Sequence, residues 1–528
     1  MRFFNTEGPV DCERHYCLPP LERLDMEQVM RLIEQYKYFL LHAPRQTGKT
    51  SCLLALAEHL NGTGRYRAVY ANIEAAQAYR EDVNYGMTAV VEQISRAARD
   101  QLGDQQAVTL GRSIIENSAG GTIVDEFLTR WSESSPLPTV LLLDEVDSLV
   151  GDTLISLLRQ LRAGYPKRPN QFPQSLILCG VRDLQDYRIQ SSEGKAVITG
   201  GSTFNIKAQS LRLGDFDEAE TRRLLLKHTE ESGQPFTPGS LDLIWHLTAG
   251  QPWLVNALAY SATFDLPEGR DRSNPLTEES ILAAKERLIL ARVTHLDQLA
   301  DKLKEPRVQR VIEPLLRGDD LDEDASRDDV SYVTDLGLVR RGVDGLQIAN
   351  PIYREVIPRE LTLIAQMNLE ARQRSAWYVE DDGGLNLPKL LAAFQQFFRE
   401  NSEIWLERFD YKEAGPHLLM QAFLQRIING GGRVEREYGL GRKRTDLLVI
   451  WPHPGGTQRG VIELKVLSSS LEKTLAEGLA QTWEYTDRCA GDESHLVIFD
   501  RRAGRTWDER IWQRREEYNG LPITVWGM

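Results

Sequence analysis

Short runs of consecutive apolar residues alternate with amphipathic stretches along the first 210 residues. Such runs are typical of buried parallel strands, whereas longer stretches with apolar residues three or four apart predict helices. This alternation predicts an α/β fold, with a parallel sheet and helices on both of its faces. The predicted strands are Tyr38–Leu41, Ala68–Glu74, Val140–Leu143 and Ser175–Val181. The predicted helices span residues 26–35, 51–60, 85–102, 123–131 and 154–164.

The first apolar run leads into a loop that ends in Gly-Lys-Thr and precedes a predicted helix. The loop matches the G-K-[ST] end of the Walker A pattern, where backbone N–H groups and a helix N-terminus face phosphates. Lys49 would reach the β- and γ-phosphates, and Thr50 would hold Mg²⁺. Ala43 replaces the first glycine of the pattern, so the loop must begin in a conformation that accepts a Cβ. The predicted cofactor-binding residues of this loop are Pro44, Arg45, Gln46, Thr47, Gly48, Lys49, Thr50 and Ser51.

The third apolar run ends in two acids, Asp144 and Glu145. At the carboxyl end of a buried parallel strand, Asp144 would meet the Mg²⁺ shell beside Thr50. Glu145 would be catalytic, because its carboxylate can activate a water for attack on the γ-phosphate. The alternative is a buried strand that ends in capping acids.

Arg182 follows the fourth predicted strand. In additional-strand P-loop ATPases, which this arrangement resembles, that position carries the sensor of the γ-phosphate. Arg159 and Arg162 lie on the preceding helix and are candidate arginine fingers for a neighbouring subunit, although solvated arginines are the common case on a helix surface.

Amphipathic helical patterns in residues 211–290 predict a helical lid. The lid contains Gly250-Gln251-Pro252, which is similar to a G-x-P signature of STAND-type and related AAA-like ATPases. The resemblance implies that Pro252 lies near the adenine and belongs to the cofactor-binding residues. The alternative is a turn that breaks a helix.

Residues 291–365 have the order of a winged helix, with helical patterns at 308–316 and 328–335 before a hairpin that turns at 343–345. The second helix begins with Asp328 and Asp329, which would repel phosphates. A structural or regulatory role is therefore favoured over DNA binding. The acidic stretch 380–388, with its Gly and Pro residues, predicts a linker or hinge.

A second candidate site lies in the last part of the chain. Glu463 and Lys465 are two residues apart in an apolar strand and therefore share a face, and Asp446 begins a neighbouring predicted strand. Carboxylates on adjacent strands can bind Mg²⁺, so Asp446 and Glu463 are predicted metal ligands as well as catalytic residues. Lys465 would orient the attacking water or stabilise the transition state. The alternative is a charged pair that only decorates the sheet.

The following helix carries Gln481 and Tyr485 one turn apart, and Gln481 is a predicted auxiliary catalytic residue. Glu435 or Glu437 is a candidate for a further carboxylate. The D, E-x-K pattern and its order of helix, hairpin, strand and helix resemble the PD-(D/E)XK nucleases. Basic residues lie around this site, which favours a nucleic-acid substrate: Arg433, Arg436, Arg442, Lys443, Arg444, Arg501, Arg502 and Arg505.

Composition limits the other possibilities. The net charge of −14 argues against coating of nucleic acid by bulk electrostatics. The five scattered cysteines predict reduced thiols, and Cys12, His15 and Cys17 form at most half of a zinc site. There is no apolar run near 18 residues and no signal-peptide core, so the sequence predicts a cytoplasmic protein without a membrane segment.

The whole chain resembles bacterial AAA-like, STAND/AAA-type P-loop ATPases fused to a C-terminal PD-(D/E)XK nuclease-like domain. The resemblance includes the stretches at 172–183 and 348–359. It implies ATP and Mg²⁺ as cofactors. It implies a P-loop NTPase core (1–210), a lid (211–290), a winged-helix-like domain (291–365), a linker and helical connector (366–400) and an α/β restriction-endonuclease-like domain (401–528).

The leading hypothesis is an ATPase whose nucleotide state regulates a metal-dependent nuclease, in DNA processing or genome defence. An alternative is an ATP-dependent signalling or assembly switch whose C-terminal fold only binds nucleic acid or protein. A third is an ATP-driven DNA motor, for which helicase motifs are not evident. The expected partners are nucleic acid, with DNA favoured, and further copies of the chain. Substrate, oligomer size and activating signal stay open.

Overall fold

The computed structural model describes residues 2–182, 188–190, 197–199, 207–290, 301–317, 325–342, 345–358, 378–406, 415–429, 432–438, 445–467, 470–500, 502 and 504–528. The chain forms two compact units. The first comprises Met1–Ala291 and Val330–Leu338, and the second comprises Arg292–Asp329 and Val339–Met528. The segment Val330–Leu338 thus packs with the first unit, although the residues on both sides of it belong to the second. The finer division predicted from the sequence stays a prediction.

The described part of the first unit begins with short strands and alternates helices and strands thereafter. Its strands are β1 (Phe3–Phe4), β2 (His15–Tyr16), β3 (Tyr38–His42), β4 (Arg67–Asn72), β5 (Thr139–Asp144), β6 (Ser175–Gly180), β7 (Arg188–Gln190), β8 (Val197–Thr199) and β9 (Lys207–Arg212). Its helices are α1 (Met26–Glu34), α2 (Lys49–Gly62), α3 (Val83–Leu102), α4 (Gln105–Asn117), α5 (Ile123–Ser134), α6 (Gly151–Gly164), α7 (Glu218–Ser232), α8 (Pro238–Thr248), α9 (Pro252–Tyr260), α10 (Pro267–Arg270) and α11 (Glu278–Leu290).

A five-stranded parallel sheet forms the centre of the first unit, with the order β4-β5-β6-β3-β9. Every residue of β3, β5 and β6 is buried, as expected of strands covered on both faces. Separate apolar clusters lie on the two faces, one built with α3–α6 and the other with α1 and α2. The predicted α/β fold with a parallel sheet is confirmed.

The order of this sheet inserts β6 between β3 and β5. The Gly-Lys-Thr loop leaves β3 and the acidic pair follows β5, so these two strands are not neighbours. All five strands point the same way, and their carboxyl ends therefore meet at one edge of the sheet. This edge brings the loop, the acids and the residues after β6 into one region.

Helices α7–α11 form the part of the first unit for which we predicted a lid. A backbone contact closes the α7–α8 pair at its base, because the Phe216 N–H donates to the Gly250 carbonyl at 2.9 Å. Gly250 has a φ of +78°, and a Cβ there would lie 1.9 Å from the Phe216 carbonyl oxygen. Only glycine fits this position without a shift of the backbone.

The prediction that all five cysteines are reduced thiols is wrong for two of them. Cys12 and Cys17 form a disulfide, with their Cα atoms 5.4 Å apart. A turn between them, in which the Arg14 and His15 N–H groups donate to the Asp11 carbonyl at 3.1 and 2.7 Å, folds the chain back and brings the two residues together. This bond also removes both thiolates from the half zinc site that we considered. Cys52, Cys179 and Cys489 are free and buried.

The described elements of the second unit include the predicted pair of helices and hairpin. Its helices are α12 (Pro306–Arg317), α13 (Arg327–Asp335, whose last six residues pack with the first unit), α14 (Leu387–Leu406), α15 (Gly415–Asn429), α16 (Leu471–Cys489) and α17 (Trp507–Arg510), with further helical residues at 351–358. Its strands are β10 (Val339–Gly342), β11 (Gly345–Ile348), β12 (Arg433–Tyr438), β13 (Thr445–His453), β14 (Gly456–Leu467), β15 (Glu493–Asp500), β16 (Trp512–Tyr518) and β17 (Leu521–Gly527).

A six-stranded mixed sheet forms most of the second unit, with the order β12-β13-β14-β15-β17-β16. Strands β12, β13 and β14 are antiparallel, whereas β14, β15 and β17 are parallel. Helix α15 precedes this sheet in the chain, and α16 makes the crossover between β14 and β15. Strands β10 and β11 form a separate antiparallel hairpin. The winged-helix and nuclease-like assignments of these parts stay predictions.

The predicted linker around 380–388 lies on the six-stranded sheet. The Trp451 indole N–H of β13 donates to the Gly383 carbonyl at 2.9 Å, and the Leu385 N–H donates to the Gln458 side chain at 2.6 Å. Two strands therefore hold this turn. Among the residues that the structure describes, no helix combines the length and apolar character needed to cross a membrane.

Candidate functional site

The Gly-Lys-Thr loop begins at the buried end of β3 and ends where α2 starts at Lys49. Gln46 and Gly48 take up the positive φ angles of the loop, at 58° and 92°. Ala43 is buried and is not among the residues with positive φ, so alanine replaces the glycine of the pattern without backbone strain. Gly48 is the N-cap of α2, and the free N–H groups of the first helical turn follow it.

Lys49 is the buried cation of this loop, with 6% of its surface exposed. Its Nζ donates to the carbonyls of Ala43 and Pro44 at 2.8 and 2.9 Å. The Thr47 hydroxyl also donates to the Pro44 carbonyl, at 2.6 Å. The loop is thus folded around its own lysine, and the neighbouring Arg45 is exposed.

Thr50 and Asp144 meet as predicted from the sequence, because α2 and β5 deliver them to the same edge. The Thr50 hydroxyl donates to Asp144 Oδ2 at 2.7 Å, and Asp144 is fully buried. Asp144 Oδ1 accepts the Glu145 backbone N–H at 3.0 Å. A hydroxyl and a carboxylate held together are hard oxygen ligands of the kind that Mg²⁺ prefers.

The sequence analysis missed Tyr70, which also contacts this pair. Its phenol donates to Asp144 Oδ2 at 3.0 Å from the neighbouring strand β4. Burial, together with the negative charge of Asp144, raises the pKa of Tyr70, so the phenol keeps its proton. A tyrosine within a predicted strand is ordinary, and only the pairing of β4 with β5 identifies its role.

Replacing Tyr70 should weaken the response to Mg²⁺. In Tyr70→Phe the carboxylate of Asp144 loses one donor that fixes its orientation, so we expect half-maximal ATP hydrolysis to need about three- to tenfold more Mg²⁺. The measurement is a Mg²⁺ titration of ATPase activity. Tyr79→Phe is the matched control, because Tyr79 is an exposed tyrosine just after the same strand. Equal Mg²⁺ requirements in Tyr70→Phe and wild type would contradict the assignment.

Glu145 follows β5 with a left-handed backbone, at a φ of 58° and a ψ of 37°. Few non-glycine residues adopt this conformation, and such residues concentrate at functional sites. Burial raises the pKa of Glu145, and the nearby carboxylates of Asp147 and Asp144 add to the effect. A carboxylate with a raised pKa suits a group that takes a proton from water.

Removing this carboxylate should stop hydrolysis while leaving binding intact. For Glu145→Gln we expect about a 100-fold lower kcat for ATP, the usual size of a lost general base, with KM within about threefold of wild type. Steady-state ATPase kinetics and nucleotide binding are the two measurements. Glu133→Gln is a control on α5, away from this edge. A wild-type kcat in Glu145→Gln would remove the catalytic assignment.

A cleft with a cavity volume of about 120 Å³ opens beside the loop. Gln46, Thr47, Gly48 and Ser51 form its floor. The predicted lid supplies Pro252, which is buried and begins α9, and Trp253 beside it. The cleft joins the loop to the residue predicted to lie near the adenine. It is lined further by Asn5, Thr6, Glu7, Gly8, Val10, Tyr16, Cys17, Leu18, Pro20, Arg23, Cys52, Phe216, Leu224 and Asn256.

The N-terminal segment lines one side of this cleft and is hydrogen-bonded both to the start of α2 and to the predicted lid. The Val10 N–H donates to the Ser51 hydroxyl at 2.9 Å, and the Trp253 indole N–H donates to the Thr6 carbonyl at 2.9 Å. In this structure the Ser51 hydroxyl therefore bonds to the N-terminal segment.

Arg23 is a second residue that the sequence analysis missed. Its guanidinium donates to the Thr47 carbonyl in the loop and to the Gly214 carbonyl at 2.6 Å, and it lies 4.7 Å from the centre of the Phe216 ring. Burial lowers the pKa of Arg23, which still leaves the side chain charged at neutral pH. Arg23 thus ties the loop to the base of the predicted lid.

The predicted sensor and the candidate fingers have different surroundings. The Arg182 guanidinium lies 4.5 Å from the centre of the Tyr332 ring, in the segment Val330–Leu338 of the same unit. Arg159 and Arg162 are exposed on α6. Exposure is compatible both with solvated arginines and with arginine fingers for a neighbouring subunit. The structure does not bring these two arginines together with Lys49, Thr50 and Asp144 by any contact that it describes.

The second candidate site lies on β14 of the second unit. Glu463 is buried, with 2% of its surface exposed, and its Oε1 accepts a charge-assisted bond from Lys465 Nζ at 2.5 Å. The shared face of the strand predicted for this pair is confirmed. A buried carboxylate on a central strand is costly without such a partner. The two side chains are thus a fixed ion pair in this structure.

Asp446 and Gln481 lie on elements next to this pair. Asp446 belongs to β13, one residue before Leu447, which pairs with Ile462; its side chain lies outside what the structure describes. Gln481 lies on α16, and its Oε1 is buried without a hydrogen-bond partner among the described residues. Of the basic residues near this site, Arg442, Lys443, Arg444 and Arg501 also lie outside the described residues.

No protein-family model and no curated protein matches this chain. Among solved structures, it is similar to a Walker-type ATPase of Pyrococcus abyssi, at 15% identity and a TM-score of 0.46, over 67% of this chain and 99% of that one. It is also similar to the RuvB Holliday junction branch migration motor of Thermotoga maritima, at 12% identity and a TM-score of 0.33, over 64% and 96%. A third is Cdc6p from Pyrobaculum aerophilum, at 14% identity and a TM-score of 0.36, over 65% and 94%. At these values the likeness is too low to carry an argument about function.

Proposed function

We propose that the first unit binds and hydrolyses ATP and that its nucleotide state regulates a metal-dependent nuclease in the second unit. The observation that carries the first half is the Thr50–Asp144 pair beside a loop folded around Lys49. A buried lysine, a helix N-terminus and an adjacent hydroxyl and carboxylate are the parts that phosphoryl transfer needs. The adjoining cleft lies between the loop and the predicted lid, where the base and ribose would bind.

The residues at the sheet edge fit Mg²⁺ and a triphosphate. Thr50 and Asp144 would hold the metal, which neutralises charge on the phosphates when bound. Lys49 would exchange its two carbonyl acceptors for phosphate oxygens, and those bonds are stronger because both partners are charged. Glu145 would accept the proton of the attacking water, and the cleft walls would hold the base and ribose.

The order of elements in the second unit supports the nuclease half of the proposal. A helix, three antiparallel strands, a crossover helix and a parallel strand follow one another in α15, β12–β14, α16 and β15. This is the order that the resemblance to PD-(D/E)XK nucleases implies. Glu463 and Lys465 then lie on β14. Leu447 of β13 pairs with Ile462 of the antiparallel strand β14, so Asp446, one residue before Leu447, is next to Glu463 in the register.

Packing of α16 on β14 supports a role for Gln481 beside this pair. Val461 packs against Tyr485, and Leu467 packs in a cluster with Leu479. Residues 461, 463, 465 and 467 share one face of β14, so α16 runs along that face from its 485 end toward its 479 end. Four helical residues and two strand residues both advance about 6 Å, so Gln481 would lie near the Glu463 and Lys465 side chains.

The residues described on β14 fit a divalent metal only if the ion pair opens. Glu463 would ligate the ion together with Asp446, and the metal would supply an activated water and a counter-charge for the scissile phosphate. Lys465 would then leave Glu463 and act on the phosphate or the water. In this structure Lys465 bonds to Glu463, which favours a nuclease that is inactive at rest.

The deciding experiment is a cleavage assay with single- and double-stranded DNA and RNA, with Mg²⁺ or Mn²⁺, and with or without ATP. Wild type is compared with Asp446→Asn. Cleavage that needs Asp446 and changes with ATP is the expected result. ATP hydrolysis and nucleotide-dependent assembly without cleavage of any substrate would contradict the nuclease half. That outcome would favour the switch, whose C-terminal fold only binds nucleic acid or protein, and the closed Glu463–Lys465 pair is the observation that keeps this second candidate.

A further inference from the structure

The segment Tyr332–Asp335 at the end of α13 contacts the carboxyl ends of three adjacent strands in the first unit. The Tyr332 ring lies 4.5 Å from the Arg182 guanidinium, two residues after β6. Asp335 Oδ1 lies 3.8 Å from Nδ1 of His42, the last residue of β3. The Thr334 carbonyl accepts Nη2 of Arg212, the last residue of β9, at 3.2 Å. Strands β6, β3 and β9 are neighbours, so one helix end covers the edge where phosphates would bind.

The turn after this segment also touches the loop itself. Gly337 has a φ of +76°, and a Cβ there would lie 2.8 Å from Cβ and Cγ of Pro44. Tyr332 and Asp335 are buried, with 5% and 7% of their surfaces exposed. The segment 332–337 therefore packs against the first unit from Pro44 in the loop to Arg182, the predicted sensor. These contacts are formed in a structure in which Lys49 bonds to carbonyls of its own loop.

We propose that Tyr332–Asp335 is a latch that holds Arg182 until a γ-phosphate displaces it; this inference rests on the proposed ATP site. In the ATP-bound state a phosphate oxygen would compete with the Tyr332 ring for Arg182. A charge-assisted bond to phosphate is stronger than a cation–π contact, so a triphosphate removes Arg182 from Tyr332, whereas a diphosphate does not reach it.

Release of the latch would be passed along a single helix. Residues 327–329 of α13 belong to the second unit, where Asp329 pairs with Arg310 at 2.9 Å and with Arg307 at 3.4 Å. Residues from Val330 onward belong to the first unit. A nucleotide that loosens residues 330–338 would thus act on a helix whose first residues belong to the other unit, which gives a route for coupling.

The test measures the affinities of Tyr332→Leu for ATPγS and for ADP. Leucine fills the apolar site but offers no ring, so Arg182 loses its competing partner. We expect ATPγS to bind about fivefold more tightly than to wild type and ADP to bind equally, since only the third phosphate engages Arg182. Tyr332→Phe keeps the ring and should match wild type for both nucleotides. Thermal unfolding of each variant checks that the fold is retained.

A double-mutant cycle with Arg182→Ala completes the test, because Tyr332→Leu should have no effect once Arg182 is absent. Hydrogen exchange of residues 330–338 should rise in wild type with ATPγS and stay unchanged with ADP. An equal effect of Tyr332→Leu on both nucleotides, or none on either, overturns the latch while the ATP site stands. Failure of wild type to bind any nucleotide overturns both.

Discussion

Lys49→Ala is expected to lower ATP hydrolysis by about 1000-fold, the upper range for loss of one preorganised donor at a transition state. Lys49 is the buried cation of the loop and has only two carbonyl acceptors among its described contacts, both of which a phosphate can replace. Its removal also leaves the Ala43 and Pro44 carbonyls without that donor. Steady-state ATPase activity and nucleotide binding measure the loss.

A matched substitution separates this effect from a general loss of lysine. Lys304→Ala changes an exposed lysine of the second unit, with 69% of its side chain accessible, and should hydrolyse ATP like wild type. The fold of the second unit should be intact in both variants, as checked by circular dichroism and thermal unfolding. Unchanged ATPase activity in Lys49→Ala would remove the phosphate-loop assignment.

Lys465→Ala is expected to abolish nucleic-acid cleavage, with a loss of about 1000-fold, and to leave ATP turnover at the wild-type level. The same change leaves the Glu463 carboxylate buried without its ion-pair partner, which costs about 3 kcal/mol of folding free energy. Loss of cleavage alone is therefore ambiguous, because a destabilised second unit would lose it as well.

The double variant Glu463→Gln with Lys465→Met resolves that ambiguity. It removes both charges together, so the buried site holds a neutral amide and an apolar chain, and unfolding should return to within about 1 kcal/mol of wild type. Cleavage should stay lost. Lys473→Ala on α16, with 76% of its side chain exposed, is the surface control. Cleavage retained by Lys465→Ala would show that this pair is not the site.

The sequence predicted the parts of the candidate site that depend on local order. The Tyr38–His42 strand, the Gly-Lys-Thr loop and the Thr139–Asp144 strand are continuous segments whose apolar and polar positions carry their own signal. The proximity of Thr50 and Asp144 could be predicted from the sequence because the carboxyl ends of parallel strands lie at one edge of their sheet.

The parts that sequence analysis missed depend on contacts between distant segments. Tyr70 acts through strand pairing, Arg23 through a carbonyl in the loop, and Tyr332 through a helix that packs more than 280 residues away from Lys49 along the chain. None of these side chains departs from the ordinary pattern of its own element. The Cys12–Cys17 bond was missed for the same reason, since scattered cysteines do not reveal which ones meet.

The backbone hydrogen bond between Phe216 and Gly250 closes the chain at the base of α7 and α8. Phe216 lies at one side of this closure and Pro252 lies two residues beyond the other, and both line the cleft beside the loop. Two parts of the cleft lining that are far apart in the sequence are therefore held together by one backbone hydrogen bond. A substitution of Gly250 would thus alter the lining of the cleft as well as the base of the helical pair.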